Sequence, residues 1–346
     1  MTWDVDYLRD NRDENMGFLS KTLLPDGTEI PGTNFDYNYL QHRKVDVVSS
    51  ALDFILPFEK YKITAGAKVS FTNTRNGINY DTSDPTLVQD DYFRYKEQIY
   101  ALYADYSREF SERFSMQLGL RMEHTRTTGI SEAKDTEDKH DYTRLFPTVY
   151  LLYSPTDGHA LNFSFSNRIS RPSQNMVNPF PFYQNKYTYA CGREDLKPSY
   201  TYNAELGYTL KNNFNVSAYY SYSDDVFFQV VDLDAETNVT FFLWENFMQT
   251  HAFGLNNSYT FRTKWLQTYA QHGVSYRRTT SSAATTSPEE KGWLITPACA
   301  TLSSSMKRRL FWPRCPVPIL PVSIRHLSDE PHLQRQCRYA LSVVEQ

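Results

Sequence analysis

Residues Leu161–Ser173 read LNFSFSNRISRPS. Leu161, Phe163 and Phe165 alternate with Asn162, Ser164 and Ser166, and the run stops in a basic, proline-marked segment at Arg168, Arg171 and Pro172. Period-two alternation puts apolar side chains on one face of a strand and polar ones on the other. What the apolar face touches, a protein core or lipid, decides the fold.

The same period recurs along the chain. Tyr61, Ile63, Ala65, Ala67, Val69 and Phe71 oppose Lys62, Thr64, Gly66, Lys68, Ser70 and Thr72. Met116, Leu118, Leu120 and Met122 oppose Gln117, Gly119, Arg121 and Glu123. Similar patterns run over 201–211, 214–223 and 251–261. Ten strands are predicted between Val47 and Arg277, and Trp3, Val5 and Tyr7 read as part of one more. Connections alternate in length. Short ones are predicted at Pro57–Lys60, Arg108–Arg113, Pro155–His159, Asn212–Asn213 and Arg262–Lys264. Long ones are predicted at Asn11–Asp46, Asn73–Tyr92, Thr127–Tyr142, Ser170–Ser199 and within Asp224–Thr250. A soluble sandwich has no reason to obey that rule, whereas an outer-membrane barrel has tight periplasmic turns and long outer loops.

Charge on the polar face (Lys62, Lys68, Arg121, Glu123, Glu205) suits a wet lumen better than a packed core. Tyr61, Tyr100, Tyr142, Tyr153, Tyr202 and Tyr222 near strand ends suit interfacial girdles. The 26 tyrosines and 22 phenylalanines favour strands over helices. No run of about 18 apolar residues provides a transmembrane helix, but a transmembrane strand needs only about 10 alternating residues. The net charge of −4 gives no reason to expect nucleic acid. The opening MTWDVDYLRDNRDEN is not a signal peptide. Cys191, Cys299, Cys315 and Cys337 form no C-x-x-C pair and join no histidine cluster, so neither a metal site, a cofactor nor a disulfide framework is expected.

The fold expected is all-β: a partial antiparallel transmembrane β-barrel, about 10–11 strands of a larger one, over residues 1–280. Residues 281–346 read as an irregular tail. Tyrosine nearly vanishes there, prolines and cysteines accumulate, and WPRCPVPILPVSIRH cannot be a central strand. The tail is neither low-complexity nor strongly charged, which favours a frameshifted, non-native stretch over ordinary disorder.

The stretch RISRPSQNMVNPFPFYQNKYTYACGREDLKPSYTYNAELGY, Arg168 to Tyr208, resembles the barrel of TonB-dependent receptor-like outer-membrane β-barrel proteins of the Bacteroidetes type. The family pattern is Arg-x-x-Arg-Pro, then Asn-Pro-Phe, a Tyr-rich loop and Gly-Asn-Pro-x-Leu-Lys-Pro. Arg168, Arg171, Pro172, Asn178, Pro179, Phe180, Gly192, Leu196, Lys197 and Pro198 match it, and Arg193-Glu194-Asp195 departs where Asn-Pro is usual. YFRYKEQIYALYADYSREFSERFSMQLGLRMEHT (92–125) resembles the family's preceding hairpin, and the likeness covers roughly residues 40 to 280. It implies a barrel of about 22 strands closed by an N-terminal plug that engages TonB. No plug or TonB box is read in this sequence, so it is expected to be a piece of a receptor for a scarce nutrient (siderophore, cofactor or glycan class). The implied partners are outer-membrane lipid and lipopolysaccharide, the barrel-assembly machinery, and TonB only through a plug. The implied location is the outer membrane of a Gram-negative cell.

Arg168 and Arg171 carry guanidinium forks suited to an anionic substrate or lipopolysaccharide phosphate. The blander reading is that they fix the loop by bonding carbonyls near Pro172 and Pro179. Tyr183, Tyr187 and Tyr189 can stack on a ligand or on one another. EAKDTEDKHD (132–141) lacks EF-hand order and reads as a solvated loop rather than a cation site. His124, His159 and His251 form no Ser–His–Asp set, so no catalysis is expected. The rival readings are a binding or structural outer-membrane barrel without transport, and a soluble antiparallel sheet.

Overall fold

The computed structural model describes residues 1–31, 35–82, 90–185, 187–263, 266–281 and 289–303. The strands are β1 (Thr2–Ser20), β2 (Phe35–Pro57), β3 (Tyr61–Thr82), β4 (Asp91–Ser111), β5 (Phe114–Ser131), β6 (Thr136–Tyr153) and β7 (His159–Ser170). A one-turn helix α1 (Gln174–Val177) and the short strands β8 (Phe182–Asn185) and β9 (Thr188–Cys191) follow. Next come β10 (Ser199–Leu210), β11 (Phe214–Asp234), β12 (Val239–Arg262), β13 (Leu266–Ser281) and β14 (Glu289–Ser303). Twelve of them form an antiparallel meander in chain order, β1 to β7 and then β10 to β14. Among the described residues the sheet does not close on itself.

Register turns the sequence alternation into two chemically distinct faces. One row crosses eleven strands: Leu56, Ile63, Tyr106, Leu118, Val149, Phe165, Ala204, Tyr220, Phe253, Tyr276 and Trp293 are successive cross-strand partners. The adjacent row on the other face reads Lys62, Ser107, Gln117, Tyr150, Ser164, Glu205, Tyr219, Gly254 and Ser275. On the apolar face Leu120, Leu206 and Leu255 are 50%, 55% and 56% exposed. A continuous band of such side chains is far too large for a face in water and marks a lipid contact. On the inner face Gly254 makes room for a ring: a Cβ there would lie 2.8 Å from Tyr219.

Four of the five short turns lie at one end, where the sequence places them, and the paired ends of β12 and β13 lie at that end too, Lys264 of the fifth falling outside the described residues. The predicted long connections are mostly strand. β3 runs to Thr82, the β5–β6 link is 132–135, and the β11–β12 link is 235–238. The loop expected over Asn11–Asp46 is likewise largely β1 and β2. The apolar alternation ends where the chain leaves lipid, but the backbone ladder does not need it. Stretches such as TNTRNGINYDT keep pairing although their outer face is polar throughout and only Ile78 and Tyr80 are apolar on the inner face. β12 has 24 residues, which is about 80 Å at ~3.3 Å per residue, so its upper part stands well clear of a hydrocarbon layer of about 30 Å.

The segment read as an irregular tail holds one more strand. β14 pairs with β13 from Glu289↔Thr280 to Ser303↔Leu266. It carries Pro297, which is tolerable on an edge where one side needs no ladder donor. Residues 304–346 lie outside the described residues.

Candidate functional site

β7 and β10 have only 12 residues each. Tilted as barrel strands are, they reach little further than the membrane. The chain between them, residues 171–198, therefore leaves the wall low, flanked by taller hairpins. It folds onto the inner face. Val177, Phe180, Tyr183 and Leu196 form a buried cluster with Tyr37, Tyr39, Ile78 and Phe93. The last four occupy inner-face positions of β2, β3 and β4. The segment is an aromatic cover on the lumen side of the wall at its long-loop end.

Its fastenings are specific. Tyr37 and Tyr80 both donate their phenolic O–H to the carbonyl of Pro181, at 3.0 and 3.2 Å. Burial pushes both phenols above their ordinary range, so they stay protonated donors. Phe180 meets Phe93 edge-on, with ring centroids 6.4 Å apart. β9 adds four parallel pairs to β12, Thr188↔Thr240 to Cys191↔Leu243. Arg193 pairs with Glu245 of β12 and with Asp195, each at 2.6 Å, and the neighbouring carboxylates hold its guanidinium above the usual range. The three residues that depart from the family pattern are thus occupied: Glu194 also accepts from Thr136, at 3.1 Å.

Within the segment the motif residues build the backbone. Asn178 is 1% exposed, and its side-chain oxygen accepts from the N–H of Phe180. Its carbonyl accepts from Gly192, and the carbonyl of Met176 accepts from Arg193, each at 2.8 Å. Gly192 allows this approach, because a Cβ there would lie 2.6 Å from Met176 O. Gly192→Val should therefore loosen the segment by on the order of 1–3 kcal/mol. Amide hydrogen exchange across 174–196 should accelerate at least fivefold while β10 is unaffected. Unchanged exchange would show that the close approach is dispensable. Pro179 is buried, Leu196 is 6% exposed, and Pro172, Lys197 and Pro198 lie where the segment leaves and rejoins the wall.

The predicted site residues separate into two kinds. Arg171 does not bond carbonyls near Pro172 or Pro179. It ion-pairs with Glu123 of β5 and, at 3.5 Å, with Glu97 of β4, and it donates to Thr125 at 3.2 Å. Glu123 is 3% exposed and also pairs with Arg121. Tyr183 is 8% exposed, with Tyr37 and Tyr189 rings 5.1 and 5.2 Å away. Tyr189 stacks on Phe241 at 5.8 Å. These three are spent on the fold. Tyr187 is 57% exposed, and Arg168 is exposed at an inner-face position opposite Thr201.

Residues 132–141 form the β5–β6 tip. Asp141 pairs with Arg126 at 3.0 Å and with His124 at 3.5 Å, and Lys139 pairs with Glu137. Among the described residues no group of three or more His, Cys, Asp or Glu stands where it would hold a metal ion. His251 is 2.8 Å from the Tyr220 hydroxyl and its ring is 4.7 Å from Tyr222, in the outer tyrosine girdle. Sequence reading did not find Glu97, Tyr37 and Tyr80, which hold the segment from about 75 to 145 positions away.

A comparison with curated protein sequences finds no match. Among solved structures the copper transporter OprC superposes with a TM-score of 0.51 at 11% identity, covering 85% of this chain and 56% of that one. The unliganded ferric citrate transporter FecA gives 0.46 at 10% identity over 84% and 47%. The Serratia marcescens hemophore receptor HasR gives 0.43 at 10% over 86% and 65%. At such identities only the OprC likeness bears on the structure, and it concerns the fold alone. The chain spans about half the length of the first two. The model of the outer membrane protein beta-barrel family matches residues 1–308, which includes β14. With its lipid-facing belt, wet inner face and one-sided tight turns, this chain belongs to the outer membrane protein beta-barrel family and resides in the outer membrane of a Gram-negative cell.

Proposed function

We propose that the chain forms part of the barrel wall of a TonB-dependent receptor-like transporter that takes up a scarce nutrient of the siderophore, cofactor or glycan class. The observation that carries this reading is the segment 171–198, which covers the inner face beneath the outer hairpins. An adhesin or anchor needs display on the outside, whereas uptake needs an entrance that shields the lumen and meets the ligand from above. Arg168 and Tyr187 are the proposed ligand contacts, a guanidinium for an anionic group and an exposed ring for stacking. Arg171, Tyr183 and Tyr189 are proposed to hold the entrance in shape. TonB engages such a receptor through a plug domain, and insertion of the wall depends on the barrel-assembly machinery. OprC, a copper transporter by its description, shares the fold.

Deleting the locus should slow growth when iron chelates, corrinoids or glycans are each made limiting in turn. The locus should restore growth only in cells that keep TonB. Equal growth of deleted and intact cells under all three limitations would favour a barrel without a transport role.

A further inference from the structure

Above Thr148↔Ser166, β6 and β7 no longer share a ladder, and Pro147 has no N–H to continue one. β6 stays paired to β5 as far as Thr136, and β7 to β10 as far as Ser170. Where the two diverge, the wall and the two ends of the 171–198 segment line a cavity of about 350 Å³. Three phenol rings contribute to it: Tyr95 and Tyr142, from inner-face positions of β4 and β6, and Tyr200, from the start of β10. Pro172 and Pro198 bound it from the segment. Ligand sites run from about 300 to 1,000 Å³, so this one has room for a single substituted ring and not for a large metal chelate.

The charges in its lining are answered, with one exception. Arg144 lies over the Tyr200 ring, its guanidinium carbon 4.8 Å from the centroid, and has Asp225 as a charge partner. Asp141 pairs with Arg126 at 3.0 Å, and Lys139 with Glu137 at 2.8 Å. Lys197 is in no ion pair among the described residues. Its backbone is fixed from both sides: the N–H donates to the Asn246 side chain at 2.8 Å, and the carbonyl accepts from the same side chain at 2.9 Å. A second polar group is also unused. His140 lines the cavity, and its Nε2 is buried without a hydrogen-bond partner among the described residues. A buried nitrogen is costly until something pairs it, and an imidazole nitrogen can accept a phenolic O–H.

We propose that this cavity binds a small aromatic carboxylate that carries a ring hydroxyl. The ring lies among the three phenols, the carboxylate meets the Lys197 ammonium, and the hydroxyl donates to His140 Nε2. Such a ligand touches the wall and both ends of the segment at once, so its binding also holds the cover closed. A ligand that binds only the closed arrangement lowers the open population by the factor 1 + [L]/Kd. The site uses neither Arg168 nor Tyr187, and it does not rest on the transport reading.

The test uses the full chain in lipid nanodiscs, titrated with 4-hydroxyphenylacetate, with phenylacetate, which lacks the hydroxyl, and with 4-hydroxyphenylethanol, which lacks the carboxylate. Wild type should bind the first at least tenfold tighter than either of the others. K197Q should lose the preference over the alcohol and keep that over phenylacetate. H140L should do the opposite, and K62Q, on the inner face at the turn end, should keep both. Heat-modifiable gel migration checks that each variant is folded. With 4-hydroxyphenylacetate at ten times its dissociation constant, amide exchange across 174–196 should slow about tenfold. No binding by wild type, equal binding of all three probes, or preferences undiminished in folded K197Q and H140L would overturn the proposal. Unchanged exchange at saturation would overturn the hold on the cover.

Discussion

Phe163→Arg should block assembly into the outer membrane, while Ser164→Arg should leave it intact. Phe163 lies between Leu151 and Leu206 in the outer belt. A guanidinium at mid-depth on the lipid face costs about 2–4 kcal/mol in such barrels, a large share of what holds one wall in place. Ser164 lies on the other face between Tyr150 and Glu205. An arginine there meets water and a carboxylate directly opposite, which is worth a few tenths of a kcal/mol in its favour. Folding into vesicles, followed by heat-modifiable migration and urea titration, should show a drop in folded fraction for the first variant alone. Equal behaviour of the two would remove the distinction between faces.

Arg171→Ala should free the cover without unfolding the wall. The guanidinium is the shared partner of Glu123 and Glu97, and Glu123 is almost fully buried. Removing it leaves a buried carboxylate dependent on Arg121 and on a 3.5 Å hydrogen bond from the Thr125 hydroxyl. Breaking a buried pair costs about 3–5 kcal/mol. Arg171 itself keeps 23% of its side-chain surface, so about 2–3 kcal/mol is a better figure here. That loss falls on the 171–198 segment, because β4 and β5 remain paired through eighteen register positions. Limited proteolysis of intact cells should cut within 171–198 at least tenfold faster in the variant, with β7 and β10 still protected. Glu123→Gln should show a smaller effect of the same sign. No change in cutting would mean that the tyrosine and β9 contacts suffice without the ion pairs.

The wall was legible in the sequence because its chemistry is repetitive. Each strand must show lipid one face and water the other, so Phe163 and Ser164 declare their sides without reference to any partner. The tight turns were legible for the same reason, since alternation halts there on both sides. The upper hairpins were not. Once above lipid, the outer face of β3 around Asn73–Thr82 needs no apolar residues and its inner face keeps only Ile78 and Tyr80, so period two fades while pairing persists. The cover was legible only as a motif. Asn178, Gly192 and Leu196 could be matched to a pattern. That Arg171 would reach Glu97 and Glu123, or that Pro181 would receive two phenols from β2 and β3, depends on side chains brought together by strand order. β14 was missed because Pro297 and a change in composition outweighed an edge strand's tolerance for both.

Site-directed nitroxide labels along neighbouring rows of the wall, with the protein in lipid bilayers, test the central claim most directly. Labels at 118, 149, 165, 220 and 253 should collide with lipid-dissolved oxygen and be shielded from a water-soluble nickel chelate. Labels at 117, 150, 164 and 219 should show the reverse. A period of two in accessibility across these strands, with one phase from β5 to β12, is the predicted result. Chelate access equal in both rows would contradict a lipid-facing belt and a wet inner face alike.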